Sequence, residues 1–181
     1  MLKRHLFPLL ALCALLAGCD GDSTTTTGQG RITTRGDLVV LSANGGPKAT
    51  IDPTGTLSID GKDITVDEHQ RALLRNYYVN ATAIRQHGIA TGKAGAGMAL
   101  QAIKGVAETA NGDENAVDKR VEAQTQKITD EAMKICDDMA GIKRAQDELA
   151  TSLPAFQPYA ALRDATSVNS CKDDNVTVRK D

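Results

Sequence analysis

Five apolar residues, Val121, Ile128, Ile135, Ile142 and Leu149, recur at intervals of seven, and Thr125, Ala132, Met139, Gln146 and Leu153 stand four places after each. Seven residues make almost two α-helical turns, so both sets fall on one side of a helix and form a heptad stripe five steps long. A helix from about Glu114 to Leu153 would be ~60 Å long at 1.5 Å per residue. One compact layer cannot cover that length, so a second helix has to run back along it. The segment from about residue 66 to 110 is the natural partner, since Leu73, Leu74, Tyr77, Tyr78, Ala81 and Ile84 repeat at three- and four-residue spacing. Thr125 and Gln146 interrupt the seam and Ala132 is small. An antiparallel helical hairpin or three-helix bundle is therefore expected in preference to a strict coiled-coil dimer. Pairing of two chains through the same stripe is the alternative, which gives a monomer or a homodimer. Pro154 ends the long helix, and residues 155–166 are expected to form a short helix that turns Phe156, Tyr159 and Leu162 onto the bundle.

Ahead of the helices the period changes to two. Leu38-Val39-Val40-Leu41 is a β-prone run closed by Asn44-Gly45-Gly46-Pro47. Ala49 and Ile51 alternate with polar residues up to Asp52-Pro53-Thr54-Gly55, which fits a type I turn, and Leu57 and Ile59 continue the alternation. Asp60-Gly61 suits the positive φ angles of a type I′ hairpin, with Ile64 and Val66 beyond it. A small antiparallel sheet of three or four strands follows, with Ala49, Ile51, Leu57, Ile59 and Ile64 on one face. Thr65-Val66-Asp67-Glu68 fits a capping box, which places the helix start near residue 66. His87-Gly88 reads as a stop or bend in that helix. The fold class is thus α+β, mainly α: a β-meander followed by long helices.

At the N-terminus, Lys3 and Arg4 precede an apolar run from Leu6 to Ala17, too short for an ordinary membrane span but right for an export signal. Its end, Leu16-Ala17-Gly18-Cys19, resembles the lipobox of bacterial lipoproteins. The resemblance implies cleavage before Cys19 and acylation of its thiol, which anchors the chain to a membrane because two or three acyl chains bind far more strongly than one. Asp20 resembles the signal that retains such proteins in the inner membrane of enteric bacteria. The stretch from Gly21 to Gly36 includes Thr24-Thr25-Thr26-Thr27 and lacks hydrophobic periodicity, so a flexible tether is expected. The expected organisation is residues 1–18 as signal peptide, 19–36 as tether, 37–66 as sheet and 67–181 as helical bundle with a C-terminal tail, the last two forming one domain.

The segment from about Lys48 to Ile84, with its two turns, its strands and a helix carrying Gln70 and Tyr78, is similar to the start of the uncharacterised periplasmic YggN-like family. That resemblance implies an exported envelope protein with a small β element followed by long helices, and it brings no catalytic residues.

An exported chain left with Cys136 and Cys171 after loss of Cys13 and lipidation of Cys19 invites a disulfide between the two. Between Gly88 and Gly112 the chain is rich in Gly and Ala, with Gly88, Gly92 and Ala96 four apart. Such spacing lets a neighbouring helix approach closely, while Lys93 and Lys104 argue against a membrane span.

Few residues point to chemistry. His69 and His87 lie outside any zinc-ligand spacing and read as helix-surface residues, and Asp137-Asp138 and Asp173-Asp174 read as solvated charge. No serine lies in an acyl-transfer motif, no Cys-x-x-Cys pair is present, and Gly92-x-x-Gly95-x-Gly97 lacks the lysine and strand of a phosphate loop. Hence no catalytic residue, metal ligand or cofactor is assigned. A formal charge of −2 and 3% aromatic residues disfavour nucleic-acid binding. The expected role is that of a non-enzymatic binding, scaffold or spacer lipoprotein facing the periplasm, with an envelope protein as partner. The alternatives are binding of lipid or another hydrophobic partner through the Gly-rich helix and, less favoured, an enzyme with a carboxylate site near Asp67, Glu68 and His69.

Overall fold

Among the described residues, six antiparallel strands pair strictly in chain order. The computed structural model describes residues 23–27, 30–109, 114–160 and 171. Residues 1–18, where a signal peptide is expected, and Cys19, Asp20, Leu162 and Asp173-Asp174 lie outside them. The strands are β1 (Ser23–Thr27), β2 (Gly30–Arg35), β3 (Leu38–Ala43), β4 (Lys48–Ile51), β5 (Leu57–Ile59) and β6 (Lys62–Asp63). Two long helices follow, α1 (Glu68–Thr109) and α2 (Glu114–Ser152), and then a 3-10 helix, Pro154–Tyr159. The mainly α, α+β class is as expected.

The sheet is larger than three or four strands because the segment read as a tether supplies two of them. β1 pairs with β2, and β2 with β3 in a register that sets Ile32 opposite Leu41 and Thr34 opposite Val39. A run of β-branched threonines favours extended backbone even without an apolar alternation. The single apolar residue Ile32 is enough to bring β2 onto the core face, where it and Thr34 are buried. Ala49, Ile51 and Leu57 are buried on that face as well, with Ile59 and Ile64 packed against the same core.

Turn chemistry fixes the meander. Asp60 and Gly61 have φ of 51° and 73°, the conformation of a two-residue type I′ hairpin. At the preceding turn, the Gly55 N–H donates to the Asp52 carbonyl at 3.1 Å. Asp52 Oδ1 accepts from the Thr54 N–H, the Thr54 hydroxyl and the Thr56 N–H. Burial opposes ionisation of Asp52, but these hydrogen bonds outweigh it and hold the carboxyl below its usual range. A Cβ on Gly55 would lie 2.5 Å from the Arg71 carbonyl oxygen, so this turn rests directly on α1.

The helix start lies two residues later than expected. Asp67, not Thr65, is the cap: its Oδ1 accepts from the Gln70 N–H at 2.7 Å, and Gln70 Oε1 accepts from the Asp67 N–H at 3.0 Å. The Gln70 amide also donates to the Ser152 carbonyl at 2.8 Å, which ties the beginning of α1 to the end of α2. The helix does not stop at His87-Gly88. α1 continues through both residues for a total of 42, because α2 packs alongside and contacts replace what one glycine loses in propensity.

The two helices form an intramolecular antiparallel hairpin with one end laid on the sheet. Leu74, Tyr77 and Ala81 of α1 meet Ile142, Ala145 and Leu149 of α2 there, and Phe156 and Tyr159 close the end. The Tyr77 and Phe156 rings meet edge-on at 5.9 Å between centroids, and the Tyr159 hydroxyl donates to the Pro47 carbonyl at 3.0 Å. The short helix expected to reach residue 166 is a 3-10 helix over Pro154–Tyr159 among the described residues.

Among the described residues the contiguous core cluster reaches Ile84 on α1 and Ile142 on α2, with Cys136 buried separately beyond it. Residues 85–109 of α1 therefore run about 35 Å past the core, with α2 alongside, as a two-helix arm. The heptad stripe thins along it: Leu149 and Ile142 are 0% and 2% exposed, Val121 37%. No described helix is long and apolar enough to cross a membrane.

Candidate functional site

The most concentrated polar arrangement lies where the core gives way to the arm. Glu131 and Asp138 are seven apart on α2, so they share one face about 10 Å apart along the axis. His87 enters between them from α1. Its Nδ1 is 2.5 Å from Glu131 Oε2 and its Nε2 is 3.6 Å from Asp138 Oδ2. The other Glu131 oxygen accepts from Lys134 Nζ at 2.7 Å. All three members are largely enclosed, with side-chain exposures of 25% for His87, 21% for Glu131 and 18% for Asp138.

The two carboxylates differ electrostatically. Hydrogen bonds from Lys134 and then His87 hold the Glu131 carboxyl below its usual range. Burial pushes the Asp138 carboxyl up; His87 opposes that shift and Asp137 adds to it. Asp138 Oδ2 is buried with no hydrogen-bond partner among the described residues. The carboxylates address opposite nitrogens of the ring, so they surround the imidazole and do not converge on a common point. Accordingly, no group of three or more His, Cys, Asp and Glu among the described residues is placed to hold a metal ion. What the arrangement can do is take up, hold and release a proton.

His87 is thus not a free surface residue, nor is Asp138 plainly solvated. Seven-residue spacing of Glu131 and Asp138 beside the apolar seam was the available signal. It was uninformative without knowing that His87 lay opposite, 44 positions from Glu131.

Cys136 and Cys171 are joined as a disulfide, with Cα atoms 5.7 Å apart, and Cys136 is fully buried. Cys136 precedes Asp138 by two positions, or about 200° of helix rotation, so α2 is gripped from two sides at this level.

Asp67, Glu68 and His69 do not assemble. Asp67 caps α1, Glu68 pairs with Arg75 at 2.9 Å, and His69 is 71% exposed with Nε2 3.6 Å from Glu148. The hollow beside His69, about 410 Å³ and open to solvent, is lined by Asp147, Glu148, Thr151 and Ser152.

The Gly-rich stretch also differs from its reading. A Cβ on Gly88, Gly92 or Gly95 would meet nothing within 4 Å, and one on Gly97 would make ordinary contact with Gln124. Close helix approach occurs at Gly141 instead, where a Cβ would overlap the Asn80 side chain.

The chain matches no protein-family model, no curated protein and no solved structure.

Proposed function

We propose that the protein is a cell-envelope lipoprotein, anchored to a membrane through Cys19 and facing the periplasm, whose helical arm acts as a non-enzymatic binding or spacing element. The observation that carries this reading is the Leu16-Ala17-Gly18-Cys19 sequence after a charged n-region and a short apolar run. Two structural features support it. A Cys136–Cys171 disulfide suits an oxidising compartment. A hairpin that extends about 35 Å past its own core presents side chains at a distance from its sheet, as a spacer or scaffold requires. The likeness of residues 48–84 to the YggN-like family accords with export.

Growth with labelled palmitate tests the anchor: the wild-type chain incorporates label and fractionates with membranes, and Cys19→Ala abolishes both. An unlabelled wild-type chain that stays in the soluble fraction overturns the reading.

A second reading, binding of lipid or another hydrophobic partner by the Gly-rich part of α1, is favoured by one observation. Ile89 and Leu100 are 46% and 62% exposed, on the face that also carries Gly92 and Lys93.

A further inference from the structure

Neutral imidazole carries one N–H, and a bond from Nδ1 to Glu131 uses it. The Nε2 lone pair then faces Asp138 Oδ2 across 3.6 Å, and two electron-rich atoms confront each other in a place that hides the carboxylate oxygen from water. Adding one proton removes the conflict in either of two ways. On Nε2 it makes an imidazolium between two carboxylates; on Oδ2 it makes an acid that donates to the imidazole. Both forms join α1 to both carboxylates of α2, and the deprotonated form joins it to one.

We propose that His87, Glu131 and Asp138 form a proton-operated clasp at the root of the arm, closed when one proton is shared between His87 and Asp138 and loosened when that proton leaves to solvent.

Position gives the clasp its leverage. Toward the sheet, Ala81, Ile84 and Ile142 belong to the core and hold the helices together whatever the clasp does. Away from the sheet, no described side chain of residues 85–100 on α1 or 118–135 on α2 is fully buried. Val121 of α2 is 37% exposed. Among the described side chains, apolar cover is thinner there than in the core, so the arm depends on the polar bonds at its root more than the core does. Around the imidazole stand Glu131 and Asp138, with Lys134 bonded to Glu131 and Asp137 acting on Asp138, all from α2; on α1, Thr91 donates to the His87 carbonyl.

The direction of the pH response follows from the same groups. Asp138 has its affinity for a proton raised in the folded state, so the stability linked to its protonation is present on the acid side and disappears as pH rises. Glu131 has its affinity lowered, so its contribution persists as pH falls until that carboxylate is itself protonated, below the usual carboxylate range. The clasp therefore opens from the alkaline side and stays closed through mild acid. This inference concerns the hairpin alone and does not depend on the lipid anchor.

Hydrogen–deuterium exchange of the full chain tests it, with each segment's rate corrected for the intrinsic effect of pH. As pH rises from mild acid to mild alkali, protection in segments 88–100 and 118–130 should fall about tenfold relative to segments 70–82 and 142–150. Asp138→Asn places an amide donor opposite Nε2 without a titratable proton, and the arm should then stay protected across the range. His87→Gln removes the ring that joins the two carboxylates, so the arm should be less protected than in the wild-type chain at the acid end of the range. Constant arm protection in the wild-type chain overturns the proposal, as does a full pH response retained by Asp138→Asn.

Discussion

The two ends of the helical hairpin contain the same heptad device and use it differently. On the sheet, Ile142 and Leu149 are sealed under a third layer made of β-strands and the 3-10 helix. In the arm, Val121 and Ile128 occupy equivalent heptad positions, yet Val121 is 37% exposed and Ile128 only partly covered. An apolar stripe thus records which side of a helix can be buried. How completely it is buried depends on the number of layers that meet there.

Near the boundary, the Cys136–Cys171 disulfide should show the largest effect. Cys171→Ser removes a link across 35 positions and is expected to cost about 3–4 kcal/mol of unfolding free energy on the chain-entropy estimate. Urea unfolding measures it, and a loss below about 1 kcal/mol would detach the bond from the stability of the core end.

Replacing Ile142 and Ile128, the same residue type two heptads apart, isolates the third layer. Ile142→Ala should cost about 3 kcal/mol, because it leaves a cavity in a closed core, and Ile128→Ala about 1 kcal/mol or less. Equal losses in thermal or chemical unfolding would erase the distinction between core and arm.

Two glycines should give opposite signs. At Gly141 a methyl meets Asn80, whose amide is already held by the Asn76 carbonyl and side chain, so Gly141→Ala should destabilise by about 1–2 kcal/mol. Gly92→Ala adds a methyl to open space in a helix and should stabilise by about 0.5–1 kcal/mol. Helicity and melting temperature of the two variants compare them, and a destabilising Gly92→Ala would mean that the arm carries a close contact at that face.

Several features were legible because they depend only on neighbouring residues. Asp60-Gly61 announces its hairpin through residues able to take positive φ, and Pro154 announces the end of α2 through a missing N–H and a fixed φ. Both helices are legible in the apolar spacing, and the face shared by Ala49, Ile51 and Leu57 in a period of two. Misreadings arise where two local solutions compete. Thr65 with Glu68 and Asp67 with Gln70 both fit a capping box, and the second prevails where Gln70 also reaches Ser152. The threonine-rich segment looks like a tether because its main asset is backbone pairing to a neighbour, which leaves little trace in side-chain pattern.

By itself, the sequence determined the turns between β3 and α1, the strands and helices from Leu38 onward, and which helix face is apolar, since all of these follow from torsional preference and spacing within a few residues. Tertiary structure alone decided that Gly141 and not Gly92 receives a close neighbour, that Ile142 is sealed while Val121 is half open, and that His87 stands between Glu131 and Asp138. Those outcomes depend on what lies across a gap from residues tens of positions away, where packing and desolvation act and local propensity carries no information.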